Sequence, residues 1–274
     1  MNRLKTIYAV FKSQFIILIR YPTWIIQLLF WPLIFPLIYI LSAIGLSGPD
    51  NSGLKNFQNI TGTDNYIAYI IIGTITWMWV NMLLWTFGTY LREEQMLGTL
   101  ESNWLTPTKK FDFLIGAGLI SLFIALITNI IAIAEYILIY RIQFQAPILM
   151  WFVIFLIMMP GAFGIGSIFA SIVLWAKEAG AMVNIARGII MIVCGITFPI
   201  SVIPDWLQMI SKIIPITHGI EAARLIMLNG YTLKEASSPI FKTIIIGIIY
   251  IIIGRLFFAF TEYKAKTTGS FDRY

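Results

Sequence analysis

Charged side chains are scarce in this sequence. Asp, Glu, Lys and Arg make up 12% of its 274 residues, about half the share in soluble domains, while 59% of the residues are hydrophobic. Because the deficit extends over the whole length, no sizeable soluble domain remains outside the apolar runs. The composition therefore predicts an all-α polytopic membrane protein that forms a single domain over residues 1–274.

The residues that usually carry chemistry are also few. The single cysteine, Cys194, lies in an apolar run, which excludes an intrachain disulfide and a cysteine metal site. The single histidine, His218, has no ligand cluster around it. The pattern Gly-x-x-x-x-Gly-Lys-Ser/Thr is absent, so the chain has no P-loop for a nucleotide. We predict no catalytic residue, metal site or cofactor on this chain.

The apolar runs predict six transmembrane helices, since about 20 apolar residues cross a bilayer core. Pro32 and Pro36 should kink the first span, and neighbouring helices must then satisfy the carbonyls left without a donor. Small residues over 161–171 favour close helix packing in the fourth span. The predicted spans are about 24–44, 66–91, 113–140, 148–175, 181–203 and 240–261.

Two further elements are predicted outside the spans. Residues 3–20 place apolar side chains on one stripe at helical spacing and lysines away from it, which indicates an amphipathic helix in the membrane interface. The alternative is that they form the frayed start of the first span. Residues 204–239 contain Pro204 and Pro215 at the starts of two helices too short to span, and Asn229-Gly230 is a stop signal for the second helix. They predict a helical hairpin that dips into the outer membrane surface.

The distribution of positive charge predicts the topology. Six spans put both termini on one side of the membrane, and 13 of the 19 Lys and Arg residues lie on that side. The positive-inside rule therefore places both termini in the cytoplasm, together with the loop 92–112. We attribute the net charge of +6 to this asymmetry and expect no nucleic-acid partner.

Few polar residues interrupt the spans, and each has two interpretations. Glu135, roughly 8 Å from the outer end of its span, could meet a cationic substrate or form a structural pair. Trp77, Trp79 and Trp85 lie deep enough to line a path for an amphipathic substrate, or to pack against other helices. Asn81 and Asn129 are typical of hydrogen bonds between helices. Such a low density of acids and histidines disfavours an ion-driven transporter.

The stretch from Arg92 to Gly116 is the longest polar interruption between two apolar runs. Met96, Leu97 and Leu100 recur in it at helical spacing, and Pro107 ends the helix. A short amphipathic helix between two spans can contact little except another protein or lipid headgroups. We predict that it docks on a partner that delivers mechanical work.

These elements together resemble the permease subunit of ABC-2 type ABC transporters, the type V exporters. The resemblance covers essentially the whole chain, and the order of its motifs is more specific than any one of them. One group of matching residues lies in the loop after the second span and comprises Glu94, Gly98, Thr99, Leu100, Glu101, Thr106 and Pro107. A second group comprises 204–207, 215–217, Glu221 and Arg224.

The resemblance implies a role for each group. The loop 92–112 would be the coupling helix, seated in a groove of a separate ABC ATPase that binds ATP and Mg²⁺. Two permeases, identical or paralogous, would assemble with two ATPase copies in the cell membrane. Spans one, two and five would line the translocation path. On this chain the path residues would be Trp31, Phe35, Trp77, Asn81 and Trp85, with Glu135 as a further candidate.

The resulting hypothesis is an ATP-driven exporter subunit for a lipophilic drug-like compound or a lipid. Export of a lipid-linked polysaccharide is the alternative within the family. An ATP-independent channel or membrane scaffold is the alternative from another class. A neighbouring gene for a P-loop ATPase would favour the exporter over the scaffold.

Overall fold

The computed structural model describes residues 3–48, 50, 52–176 and 179–268. The side chains of Glu101, Trp104 and residues 174–176, 179, 265, 266 and 268 lie outside this description, as does the tight loop predicted at Lys177 and Glu178. Eleven α-helices and one 3-10 turn at Ile200–Val202 occupy the described residues. In chain order the helices are α1 Arg3–Arg20, α2 Trp24–Leu46, α3 Ser52–Thr61, α4 Tyr66–Met96, α5 Thr99–Leu105, α6 Phe111–Leu138, α7 Ile148–Ala176, α8 Ala179–Val193, α9 Asp205–Ile213, α10 Pro215–Asn229 and α11 Ser237–Thr268.

The predicted all-α membrane architecture is confirmed. Within the described residues, α2, α4, α6, α7 and α11 are long and apolar enough to cross a membrane. Helix α4 forms the centre of the bundle, because 83% of its most apolar window is buried, against 22% for α2 and for α11. At about 46 Å, α4 is also longer than a bilayer core is thick, so one end projects beyond it.

Helices α7 and α11 form the closest pair in the bundle. A Cβ atom added to Gly247 would lie 2.9 Å from the backbone nitrogen of Gly161, and one added to Gly254 would lie 2.7 Å from the carbonyl oxygen of Gly164. Glycine therefore allows the two backbones to touch. This contact bears out the packing role predicted for the small residues over 161–171.

The fifth predicted span is shorter and ends earlier than its sequence pattern suggests. Helix α8 has 15 residues and stops at Val193, and Gly195 follows with φ +63°, a conformation that favours glycine. The residues after Gly195 remain apolar, so the hydropathy pattern continued to Ile203 although the helix did not. Five described helices meet the length for a span, and the count of six remains a prediction.

Arg224 of α10 explains how the end of α8 is stabilised. Its Nη1 donates to the carbonyl of Gly195 at 2.9 Å, and its Nη2 donates to the carbonyl of Ile196 at 2.7 Å. The guanidinium also lies 3.5 Å from the ring centroid of Tyr69 on α4. Carbonyls at a broken helix end need donors where water is scarce, and a cation there also complements the helix dipole.

The predicted hairpin consists of α9 and α10, which differ in environment. Helix α9 is largely exposed, with Trp206 at 63% and Met209 at 68% of full exposure. Helix α10 is buried over most of its length and packs between α4, α7 and α11, so it belongs to the body of the bundle. Helix α3 was not predicted, because its apolar residues are only three, Leu54, Phe57 and Ile60, within a short polar sequence. Phe57 holds it over α4, with its ring 5.0 Å from that of Tyr69.

Candidate functional site: a braced loop helix and a tryptophan groove

A glycine turn separates α4 from the short helix α5. Helix α4 ends at Met96, and Gly98 adopts φ +69°, where a side chain would add strain. No atom lies within 4 Å of where a Cβ of Gly98 would be placed, so conformation alone explains the glycine. The turn sets the direction in which α5 leaves α4.

Glu94, in the last turn of α4, holds the beginning of α5. Its Oε2 accepts hydrogen bonds from the hydroxyl of Thr99 and, at 2.8 Å, from the side-chain amide of Asn103. A carboxylate beside a helix N-terminus also interacts favourably with the helix dipole. Glu94 therefore fixes α5 to the end of α4.

Lys110, just before α6, holds the other end of α5. Its Nζ donates to the carbonyls of Asn103 at 3.2 Å and Thr106 at 2.6 Å, and the residue is only 2% exposed. A buried cation thus satisfies carbonyls that a helix C-terminus leaves without partners. Helix α5 is therefore anchored to both α4 and α6.

The surface around α5 is apolar. Met96 and Leu97 are exposed at 73% and 74%, and Leu105 at 88%, whereas Leu100 is buried at 3% and anchors the helix inward. Of the other residues that the resemblance singles out, Thr99 and Pro107 are exposed and Thr106 is half-buried, while the side chain of Glu101 is undescribed. Exposed leucine and methionine side chains at the two ends of a braced helix are typical of a surface that contacts another molecule.

Helix α1 is fastened to the start of α6. The guanidinium of Arg3 forms a two-pronged ion pair with the buried carboxylate of Asp112, with its Nη2 2.8 Å from Oδ1 and its Nε 3.1 Å from Oδ2. The hydrogen bond to Asp112 raises the pKa of Arg3 above its ordinary value. Phe11 and Phe15 then pack edge-on against Phe123 of α6. Helices α1 and α5 therefore both attach to the first turns of α6.

A groove of about 420 Å³ lies between α2, α4 and α6. Lining residues recur at helical spacing on two of these helices. They are residues 24, 27, 28 and 31 of α2 and residues 78, 81, 82 and 85 of α4. Four indole side chains face it, those of Trp24, Trp31, Trp79 and Trp85. Its polar side chains are those of Gln27, Asn81, Thr86 and Thr128.

The groove brings together three of the six residues predicted for a translocation path, namely Trp31, Asn81 and Trp85. Phe35 stacks on Trp31 at 5.7 Å between ring centroids and extends the aromatic surface. Trp77 is buried at 3% exposure and does not line the groove. Glu135 lies further along α6, where its Oε2 is buried without a hydrogen-bond partner among the described residues.

Sequence reasoning missed the contributions of Trp24, Gln27, Met78 and Met82. The i, i+3, i+4, i+7 spacing would have identified them once Trp31 and Trp85 were chosen as anchors. The lining residues of α6 are Ile124, Ala125 and Thr128. No tryptophan lies among them to mark this side of the helix in the sequence.

Two tyrosines, Tyr136 of α6 and Tyr140 just beyond its end, contact the proline-containing part of α2 at one end of the groove. Pro36 has no N–H, so the carbonyl of Pro32 loses its donor within the helix. The hydroxyl of Tyr136 donates to this carbonyl at 3.0 Å, and that of Tyr140 donates to the carbonyl of Leu33 at 2.7 Å. The expectation that a neighbouring helix satisfies the carbonyls left without a donor is confirmed for the carbonyl of Pro32.

One family model matches most of the chain. It covers residues 5–228, and its description is ABC-2 type transporter. The match includes α1, the groove, α5 and nearly all of α10. No curated protein matches the sequence.

Proposed function

Because the chain belongs to the ABC-2 type transporter family, we propose that it is the permease subunit of an ATP-driven exporter. Its cargo in this proposal is a lipophilic drug-like compound or a lipid, which leaves the cytoplasm or the inner leaflet. ATP and Mg²⁺ bind to a separate ABC ATPase, in keeping with the family, and two ATPases serve two permease copies. The exporter resides in the cell membrane with both permease termini in the cytoplasm.

The bracing of α5 is the observation that carries this proposal. Glu94 and Lys110 attach the short helix to the ends of two long helices, and Met96, Leu97 and Leu105 remain exposed at its two ends. A helix held in this way can receive a push from a docked protein and pass it to α4 and α6. The same two helices form walls of the groove, so motion at α5 reaches the proposed path directly.

The groove supports a lipophilic cargo. Indole rings and apolar side chains make up most of its lining, and the polar groups that line it are neutral amides and hydroxyls. By the charge-based topology, the groove lies in the cytoplasmic half of α2, where a membrane-dissolved molecule would enter from the inner leaflet. A polysaccharide would need many more hydrogen-bonding groups than these residues offer.

Transport in reconstituted vesicles tests the proposal. The tagged chain is purified from its native membrane together with its bound ATPase, and ATP-dependent movement of lipophilic dyes is measured for two variants. We expect Glu94→Gln to lower transport and ATPase retention, because the carboxylate loses its charge beside α5. Glu93→Gln is the matched control, since Glu93 is exposed and directly precedes Glu94 in the sequence. Equal transport by both variants, or purification without any ATP-hydrolysing chain, would contradict the coupling role.

A further inference from the structure

The groove offers no countercharge to an ionised ligand. Its lining contains no Asp, Glu, Lys, Arg or His among the described residues. A cation, Arg187 of α8, lies beside one lining residue, with its guanidinium carbon 5.9 Å from the ring centroid of Trp85. Arg187 donates to the amide oxygen of Asn184 at 3.1 Å, and no carboxylate in the described part of the chain pairs with it. A cation entering beside Trp85 would therefore meet a positive charge.

Asn81 supplies an unused hydrogen-bond acceptor at the groove. Its Oδ1 is buried and has no partner in the described structure, although the residue lines the groove. Asn129 is the other amide that was predicted to join helices, and both ends of its side chain are hydrogen-bonded. Its Nδ2 donates to the carbonyl oxygen of Ala125 at 2.7 Å, and its Oδ1 accepts from the indole N–H of Trp151 at 3.0 Å. A packing role explains Asn129 but leaves the acceptor of Asn81 unexplained.

We propose that the groove binds an uncharged amphiphile and that Asn81 determines its specificity. The flat apolar body of the ligand lies against the indole rings, and a hydroxyl or N–H group donates to the carboxamide oxygen of Asn81 after rotation of that side chain. Permanent cations bind poorly, because the lining offers no carboxylate and Arg187 lies beside Trp85. This inference rests on the groove being the substrate site of the proposed exporter.

Binding to the intact chain in nanodiscs tests the inference without the ATPase. Three radiolabelled probes share one ring system: 2-naphthol with a donor, 2-methoxynaphthalene without one, and 2-naphthyltrimethylammonium with a permanent charge. Binding is counted in excess of that to protein-free nanodiscs. We expect the naphthol to bind about fivefold more tightly than the ether, as one hydrogen bond allows, and the cation to bind most weakly. Tightest binding of the ether or the cation would overturn the proposal.

A variant pair assigns the preference to Asn81. Asn81→Leu should remove the advantage of the naphthol over the ether. Ser42→Ala, at an exposed position of α2 that does not line the groove, should retain the preference. An unchanged preference in Asn81→Leu would refute the role of Asn81. The binding assays need no ATP, so they can fail independently of the transport assay. A wrong order of probe affinities would contradict this inference but not the proposed ATP-driven transport. Loss of coupling to the ATPase would contradict the proposed function but not the binding result.

Discussion

Glu94 and Lys110 hold the same residue of α5 from opposite sides. The side-chain amide of Asn103 donates to Glu94 at 2.8 Å, and its main-chain carbonyl accepts from Lys110 at 3.2 Å. The two charged groups belong to the end of α4 and to the start of α6. Helix α5 is only seven residues long, too short to be stable alone, so these contacts maintain its conformation.

Removing Lys110 should loosen α5 without unfolding the bundle. In Lys110→Met the carbonyls of Asn103 and Thr106 lose a charged donor, a loss of about 1.5–3 kcal/mol for such a bond. Amide hydrogen exchange over residues 99–105 should then accelerate at least about tenfold. Lys109→Met is the control, because Lys109 is exposed and next in sequence. Equal exchange rates in the two variants would show that Lys110 does not hold the helix.

Gly98 should tolerate asparagine better than valine. Its φ of +69° costs a branched residue about 1–2 kcal/mol, whereas asparagine enters this region more readily. Since no atom lies within 4 Å of the added Cβ, steric overlap does not confuse the comparison. We expect transport to fall markedly in Gly98→Val and only slightly in Gly98→Asn. Indistinguishable transport rates would mean that the turn geometry is unimportant for coupling.

The tyrosine contacts to α2 should control the width of the groove. Replacing Tyr136 and Tyr140 together by phenylalanine removes both donors to the kink, each worth about 1 kcal/mol. We expect a broader distribution of distances between spin labels at positions 27 and 128, in a Cys194→Ala background. Tyr263→Phe serves as the control, since Tyr263 is 69% exposed on α11. A distribution that matches the control would show that the bend is set within α2 itself.

Arg224 should be essential for the stability of the bundle. Arg224→Gln leaves the carbonyls of Gly195 and Ile196 short of donors at the break after α8, at a cost of about 2–5 kcal/mol. Thermal unfolding in detergent should show a clear decrease in the midpoint relative to Lys234→Gln, an exposed control. A midpoint equal to that of the control would show that other groups, or water, satisfy these carbonyls.

Local sequence signals predicted most of the helices. The stripe over 3–20, the proline at the start of α10 and the Asn229-Gly230 stop each act within one or two helical turns, and the structure contains α1 and α10 with those bounds. Gly230 indeed adopts φ +70°. Such signals depend on neighbours in sequence, which is why they can be read without tertiary information.

Features that depend on contacts between distant segments were not predictable. The stop of α8 lies inside a run that stays apolar, and its stabilisation needs Arg224, 29 residues further on. The burial of α10 and the part of the groove contributed by α6 follow from how helices pack, which hydropathy does not specify. Trp77 and Trp79 illustrate the limit, because both looked equally deep but only Trp79 lines the groove.

A photo-crosslinker at Leu105 tests the central claim most directly. This position is 88% exposed at the end of α5 and carries no bracing contact, so its replacement leaves the helix intact. The account predicts that illumination in native membranes joins position 105 to an ABC ATPase, and that a crosslinker at Trp206 on α9 captures none. Attachment of the ATPase at position 206, or its absence at position 105, would contradict the account.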